Sequence, residues 1–258
     1  MKNNILVTIN NLSDIERFKE LGITKYVFYL KDFSVGIPNT FLLSEIKDEG
    51  YIFINRILDN EGIDKLKDVL KDIPKNIKGI IFDDLGVYEI IKDLDLEKIL
   101  YLSHFNTNSE SIGIYLDMVS SVVVSTDITK DEIEKIVLKY PDKLTLFVYG
   151  YISVMYSRRY LIDNYSKFHN IKKENPLEIQ NNNNKFIVYE NDYGTVIYYD
   201  KIFNGMELLK YPCKYYFING FNLSFEDIKD ALDGLYKEEK EDKGFLYKET
   251  IYKLKEGE

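Results

Sequence analysis

His104 directly follows the apolar run 98-KILYLS-103. An imidazole that titrates near neutrality is the side chain most often used as a general base. Asp84 and Asp127 follow two other apolar runs, 77-IKGIIF-82 and 121-SVVVS-125, where a carboxylate could orient the imidazole or hold its charge. Each aspartate could equally lead into the next helix as an N-cap, and His104 could bond a backbone carbonyl. His104 with two carboxylates would also make a facial set for a divalent metal. No His-x-x-x-His spacing supports a metal, since the second histidine, His169, falls in a polar stretch, and no metal ligand is assigned. Tyr149 ends a further run, and Asn10, Asn55, Arg56 and Asp83 complete the polar residues at such ends. Arg158 and Arg159 stand where a helix is expected to begin and could hold a carboxylate or phosphate, or else pair with acidic neighbours. The candidate catalytic residues are therefore His104, Asp84, Asp127 and Tyr149, and the candidate ligand-binding residues are Asn55, Arg56, Arg158 and Arg159. Ser157 is not in a Gly-x-Ser-x-Gly elbow, and Cys213, just ahead of an apolar run, reads as a structural thiol despite its neighbour Lys214.

These residues need a frame that gathers the ends of short apolar runs. The runs at 4–9, 26–30, 51–57, 77–82, 98–103, 121–125, 144–149 and 215–218 are β-branched, aromatic and almost continuously apolar, as buried parallel strands require. Amphipathic stretches alternate with them, predicting helices near 13–21, 37–48, 60–72, 86–93, 109–117, 130–139, 157–166 and 224–236. Ser13 with Glu16 and Thr129 with Glu132 have capping-box spacing, and Ser224 with Asp227 is an acidic variant. Eight of each in alternation predicts an α/β fold, a TIM-type (β/α)8 barrel, whose site lies at the C-terminal ends of the strands. A doubly wound sheet is the lesser fit, because no glycine-rich fingerprint follows the first run. Residues 170–184 read as a polar loop, and 186-FIVYEN-191 with 195-TVIYYD-200 as a β-hairpin inserted before the last βα unit. One barrel domain is thus expected over 1–236, with 170–200 as insertion. Residues 237–258 read as a charged tail in which 244–254 could add a strand.

The chain has 258 residues, 45% of them hydrophobic and 30% charged, with a net charge of −9. Most lysines sit beside acidic residues at helical spacing, as in 64-DKLKDVLKD-72, so nucleic-acid binding, which needs clustered cations, is not favoured. A single cysteine fits a reducing compartment. Polar residues follow Met1 at once, so no signal peptide is expected, and no apolar run approaches the roughly 18 residues of a membrane helix. The expected location is the cytoplasm.

Three segments, in order, resemble the peptidase U32 family: 79-GIIFDDLGVYEIIKDL-94, 144-LTLFVYGYISVMYSRRYLIDNY-165, and 187-IVYENDYGTVIYYDKIFNGMELL-209 followed by 217-FINGFNLSFEDIKDAL-232. The second is similar to a signature in which His-Gly is followed by Cys, then Tyr-Ser-Gly-x-Cys, then a helix reaching Asn-Tyr. The family takes its name from collagenase-like peptidases. Other members resemble hydroxylases acting on RNA bases or quinone precursors, several with an iron–sulfur cluster on four cysteines. Against that pattern Ser153 and Tyr160 stand at the signature's cysteines, Tyr149 at its histidine, Thr126–Asp127 at an Arg-Glu pair, and Asn219 and Phe221 at a Glu and an Arg around Gly220. The backbone-shaping Asp84, Leu85, Gly86, Gly150, Tyr156, Ser157, Asn164, Tyr193 and Gly194 remain. The resemblance therefore implies no iron–sulfur cofactor here, since a cluster needs thiolates. It favours a binding or partner subunit, its partner a cysteine-complete paralogue, over a peptidase-like hydrolase or altered enzyme using His104 and the carboxylates.

Overall fold

The computed structural model describes residues 2–102, 104–182 and 184–248. Its frame is a closed barrel of eight parallel strands. The first seven are β1 (Ile5–Thr8), β2 (Lys25–Tyr29), β3 (Gly50–Ile54), β4 (Ile77–Phe82), β5 (Glu97–Leu100), β6 (Ser121–Val124) and β7 (Leu144–Ser157). The insertion supplies β8 (Leu177–Asn181), β9 (Asn184–Asn191) and β10 (Gly194–Asn204), so the eighth barrel strand is β11 (Tyr215–Ile218). β11 pairs in parallel with both β1 and β7, which closes the ring. The expected TIM-type architecture with its inserted hairpin is what the chain adopts, but the stretch 170–184, expected as a loop, contributes β8, which pairs antiparallel with β9.

The α-helices are α1 (Ile15–Glu20), α2 (Asn60–Leu70), α3 (Leu85–Ile91), α4 (Ser109–Leu116), α5 (Lys130–Lys139), α6 (Leu161–His169) and α7 (Phe225–Leu232). The Thr129–Glu132 and Ser224–Asp227 capping boxes form as expected. Ser13 caps nothing; Asn11 caps a short 3-10 turn there, and α1 starts later. No α-helix forms over 37–48, which holds only a 3-10 turn at Leu43–Glu45. Pro38 lacks an N–H and disfavours helical geometry at Ile37. Phe33 to Ile37 are buried in succession, with Gly36 at φ +68, so this stretch packs on the core as irregular chain with no one-sided helical face. The tail does not read as purely solvated either. β12 (Glu241–Asp242) pairs with β10, and Glu241 is buried. Most of the 244–254 expectation lies outside the described residues; 244–248 form turns.

Parallel partners face the same side of a sheet, so the registers show what fills the barrel. Phe53 opposes Ile81, Ile81 opposes Ile99, and Leu6 opposes Phe217. Phe53 also meets the rings of Tyr29, Tyr101 and Phe217, and Phe217 meets Phe147. Truncating such a ring to alanine costs about 3–5 kcal/mol in a packed core. At the N-terminal end, Tyr51 donates to Glu97 at 2.9 Å and Tyr215 at 2.5 Å, with Lys214 Nζ 3.0 Å from the same carboxylate. Gly79 makes room for this plug, since a Cβ there would lie 2.7 Å from the Tyr51 ring. This polar cluster fills the N-terminal end of the barrel, whereas a cavity opens at the C-terminal end.

β7 outruns its partners. Leu144 to Tyr149 belong to the barrel, and the rest pairs antiparallel with β10, raising the hairpin beside the mouth. The join is irregular: Phe217 pairs with Phe147 but Ile218 with Tyr149, so Val148 is an extra residue. Gly150 follows with φ +133, and a Cβ there would lie 2.4 Å from the Asn219 carbonyl oxygen. Replacing Gly150 with alanine should cost at least about 1–3 kcal/mol from backbone strain alone, measured as a lower urea midpoint. An unchanged midpoint would show that the join tolerates an ordinary residue.

Candidate functional site

Alternation along the strands decides which side chains reach the open end. Asn55, Asp83, Tyr101 and Asn219 lie one step above the inward-facing core layer, to which Tyr29 belongs as the partner of Phe53, and all five line a cavity of ≈ 220 Å³ at the barrel mouth. The far wall comes from the extended part of β7 and from β10, through Tyr151, Ser153, Met155, Tyr156, Val196 and Tyr198. His104 lies at the rim, in the turn after β5. That turn is anchored from within: the buried Asn106 side chain donates to the Val123 carbonyl at 2.9 Å, and Ser125 N–H donates to the Asn106 carbonyl at 3.0 Å.

The anchoring brings the loops after β5 and β6 together. His104 Nδ1 lies 2.6 Å from Asp127 Oδ2. Asp127 is itself aimed by a tight turn in which its N–H donates to Ser125 Oγ at 3.1 Å. The hydrogen bond with Asp127 raises the His104 pKa above its ordinary value, while partial burial works the other way. The side chains are 42% and 31% exposed, so solvent screens the pair and it orients the ring more than it stabilises the fold. With Nδ1 engaged, Nε2 has no protein hydrogen-bond partner among the described residues.

Asp83 is the other unusual group. The residue keeps some surface open to the cavity, yet its Oδ1 is sealed from solvent and has no hydrogen-bond partner among the described residues. Burial first, then the charge of Asp84, pushes its pKa well above the carboxylate range. Tyr101 stands near both Asp83 and Asp127; burial and then those two charges push its phenol up, so it stays protonated.

The other expected site residues are placed differently. Asp84 faces α3 and α2, not His104: it accepts from Gly86 N–H at 2.7 Å and Leu58 N–H at 3.0 Å, the capping arrangement. A facial metal set of His104, Asp84 and Asp127 therefore does not assemble. Among the described residues no three His, Cys, Asp or Glu side chains converge as a metal group. Tyr149 is fully buried on the outer side of the barrel, where its hydroxyl donates to Glu241 at 2.9 Å. The extra residue at Val148 turns it there, because a one-residue slip exchanges the faces of a strand. Asn55 lines the cavity, but its amide is engaged with the Val35 backbone in both directions, at 2.9 and 3.1 Å. Asn10 bonds the Gly220 and Leu223 carbonyls.

The arginines lie outside the mouth. Arg56 covers the Tyr193 ring at 4.2 Å and donates to the Asp32 carbonyl, and Arg158 pairs with Asp59 at 2.9 Å. Arg158 and Arg159 precede α6 rather than opening it, because β7 runs on to Ser157. The α6 N-terminus is already occupied by the buried Glu190 carboxylate, which accepts from Ile162 N–H at 2.8 Å and Asp163 N–H at 3.3 Å. Tyr29, Tyr101, Tyr151 and Tyr198 line the cavity although none of them is among the residues expected there from the sequence. Period-two alternation could have found the first two, whereas Tyr151 lies beyond the slip in β7 and Tyr198 reaches the cavity only through the pairing of β10.

The thiol positions of the expected signature carry no thiol. Ser153 is in the cavity wall, Tyr160 donates to the Asp192 carbonyl, and Cys213 is buried beside β11 with its thiol pushed up to about 12 by burial and by Asp142. These donors do not fit a four-thiolate cluster. Among the described residues no helix is long and apolar enough to cross a membrane. The profile of Peptidase family U32 matches residues 40–176, more than half of the chain, a span containing Asp83, His104, Asp127 and Ser153. No curated protein and no solved structure matches the chain.

The His104–Asp127 pair makes a pH-dependent contribution whose sign is fixed. A pKa raised on folding means the contribution is complete below the unfolded value, about 6.5, and is lost as pH rises through the folded value. An NMR titration of His104 should give a midpoint above about 6.5, and Asp127→Asn should lower it. A wild-type midpoint at or below that value would show that the pair does not form in solution.

Proposed function

The chain belongs to peptidase family U32, and on that footing we propose that its barrel mouth is a small-molecule site in which His104, oriented by Asp127, acts as general acid or base. The observation that carries the reading is the 2.6 Å contact between His104 Nδ1 and Asp127 at the rim of a cavity that also holds an unpartnered carboxyl. Asp127 fixes the tautomer and favours the charged ring, leaving Nε2 to take a proton from a ligand or water and to return it. Asp83, whose pKa burial raises, stands at the cavity with an oxygen that has no partner among the described residues, a polar anchor for a ligand. Reactions that need only proton transfer, including peptidase-like hydrolysis by an activated water, fall within this chemistry. The volume, ≈ 220 Å³, sits under the usual range of about 300–1,000 Å³ for drug-sized ligands, so the ligand, or the part of it that enters, is small. The reading includes no iron–sulfur chemistry, because the chain has one thiol and it is buried. That single thiol also suits a cytoplasmic location.

A second reading, a binding subunit partnered by a cysteine-complete paralogue, is supported by α6. That helix turns Phe168 and Tyr165 outward, 84% and 49% exposed, beside the segment in which the family signature ends. Exposed aromatic side chains of this kind are common anchors in protein interfaces.

Two measurements test these readings. Protein purified without oxygen should be colourless and free of stoichiometric iron and sulfide; a brown, iron-loaded preparation would overturn the assignment of Ser153 and Tyr160 to the thiol positions. Incubation with a fractionated pool of small metabolites, followed by mass spectrometry, should reveal a compound consumed by the wild type. His104→Ala should slow that turnover by about two to four orders of magnitude with the thermal midpoint little changed. Absence of turnover, together with one-to-one recovery of a cysteine-containing paralogue that Phe168→Ala abolishes, would replace the first reading with the second.

A further inference from the structure

We infer that the mouth cavity recognises an organic ammonium group, a primary or substituted amine seated against Asp83 with tyrosine and phenylalanine rings around its carbon skeleton. The inference rests on the reading of this cavity as the ligand site and goes further by naming the class of ligand.

The carboxylates around the mouth differ in one respect. Asp84 is satisfied by two backbone N–H groups, Asp127 by His104, and Asp59 by Gly62 N–H and Arg158. Asp83 alone of these has an oxygen that is buried and unpartnered among the described residues. A buried carboxylate without a partner is costly to keep, and the cost is removed when a cation supplies both charge and hydrogen bonds. No lysine or arginine lines the cavity, since Arg56 and Arg158 are engaged outside it.

The walls suit the same kind of ligand. Tyr29, Phe53, Tyr101, Tyr151 and Tyr198 all border the space. Their ring faces carry negative quadrupole charge and attract ammonium groups, most strongly where water is excluded. A phosphate or carboxylate ligand would meet Asp83, with Asp84 behind it, and would find a cation only in His104 at the rim, whose charge Asp127 already offsets. A divalent metal would find one free carboxyl where it needs several donors. The remaining rival is a neutral ligand that accepts a hydrogen bond from protonated Asp83.

Calorimetric titration with benzylamine and with its neutral isostere benzyl alcohol separates the two. At neutral pH benzylamine should bind at least about tenfold more tightly, the factor given by ~1.4 kcal/mol. Asp83→Asn should remove that preference while leaving the weaker binding of benzyl alcohol in place. Equal affinities, or a preference for the alcohol, would overturn the amine assignment and leave the acid–base reading to the His104→Ala turnover measurement. Binding of neither compound would likewise overturn it. Should Asp83→Asn fail to fold, the contrast between the two ligands on the wild type decides the matter alone.

Discussion

Everything above the barrel depends on how β7 divides its hydrogen bonds. Its first half must pair in parallel with β11 to close the ring, and its second half must pair antiparallel with β10 to raise the hairpin. A single strand meets both demands only by slipping one residue at Val148 and twisting at Gly150, where the Asn219 carbonyl leaves no room for a side chain. The slip has two results. It sends Tyr149 outward to Glu241, where the charged tail is stitched to the sheet through β12. It also brings Tyr151 and the residues beyond it over the mouth, so the strand that closes the barrel becomes a wall of the cavity.

The mouth contrasts with the opposite end. At the N-terminal end Tyr51, Tyr215 and Lys214 all satisfy Glu97, and the polar cluster behaves as a structural plug. At the C-terminal end one oxygen of Asp83 is sealed from solvent, and neither it nor His104 Nε2 has a hydrogen-bond partner among the described residues. Unsatisfied buried groups destabilise a fold, and native proteins tolerate them mostly where something binds or reacts. The asymmetry between a satisfied end and an unsatisfied one is the physical basis for placing the site at the mouth.

Membership of the U32 family accounts for the frame more than for the chemistry. The backbone-shaping residues of the resemblance have visible structural roles: Asp84 caps α3, Gly150 makes the turn in β7, and Gly194 carries φ +133 where β10 leaves the hairpin turn. Ser153 lies in the cavity wall, and Tyr160 donates to the carbonyl of Asp192 on the hairpin turn. The polar groups that do converge at the mouth, His104, Asp127 and Asp83, lie on loops and strand ends fixed by that same frame.

The sequence by itself determined the barrel, because eight short β-branched runs separated by amphipathic stretches have few other ways to bury their apolar surface. It determined the inserted hairpin through the turn chemistry at Asp192–Tyr193, and the helix starts at Thr129 and Ser224 through their capping boxes. It also singled out His104 and Asp127, whose places after neighbouring strands follow from strand order. Only the tertiary structure decided that Asp127, and not Asp84, meets His104, since capping groups at Gly86 and Leu58 claim Asp84 first. It alone removed the expected helix at 37–48, where the chain passes Gly36 at φ +68 and Pro38 and then bridges Phe41 to Leu30. Tyr149 was lost from the site and Tyr198 gained for the same reason: a one-residue slip and an antiparallel pairing between distant segments set which face each side chain occupies. Such pairing is a property of the closed sheet, and local residue patterns do not encode it.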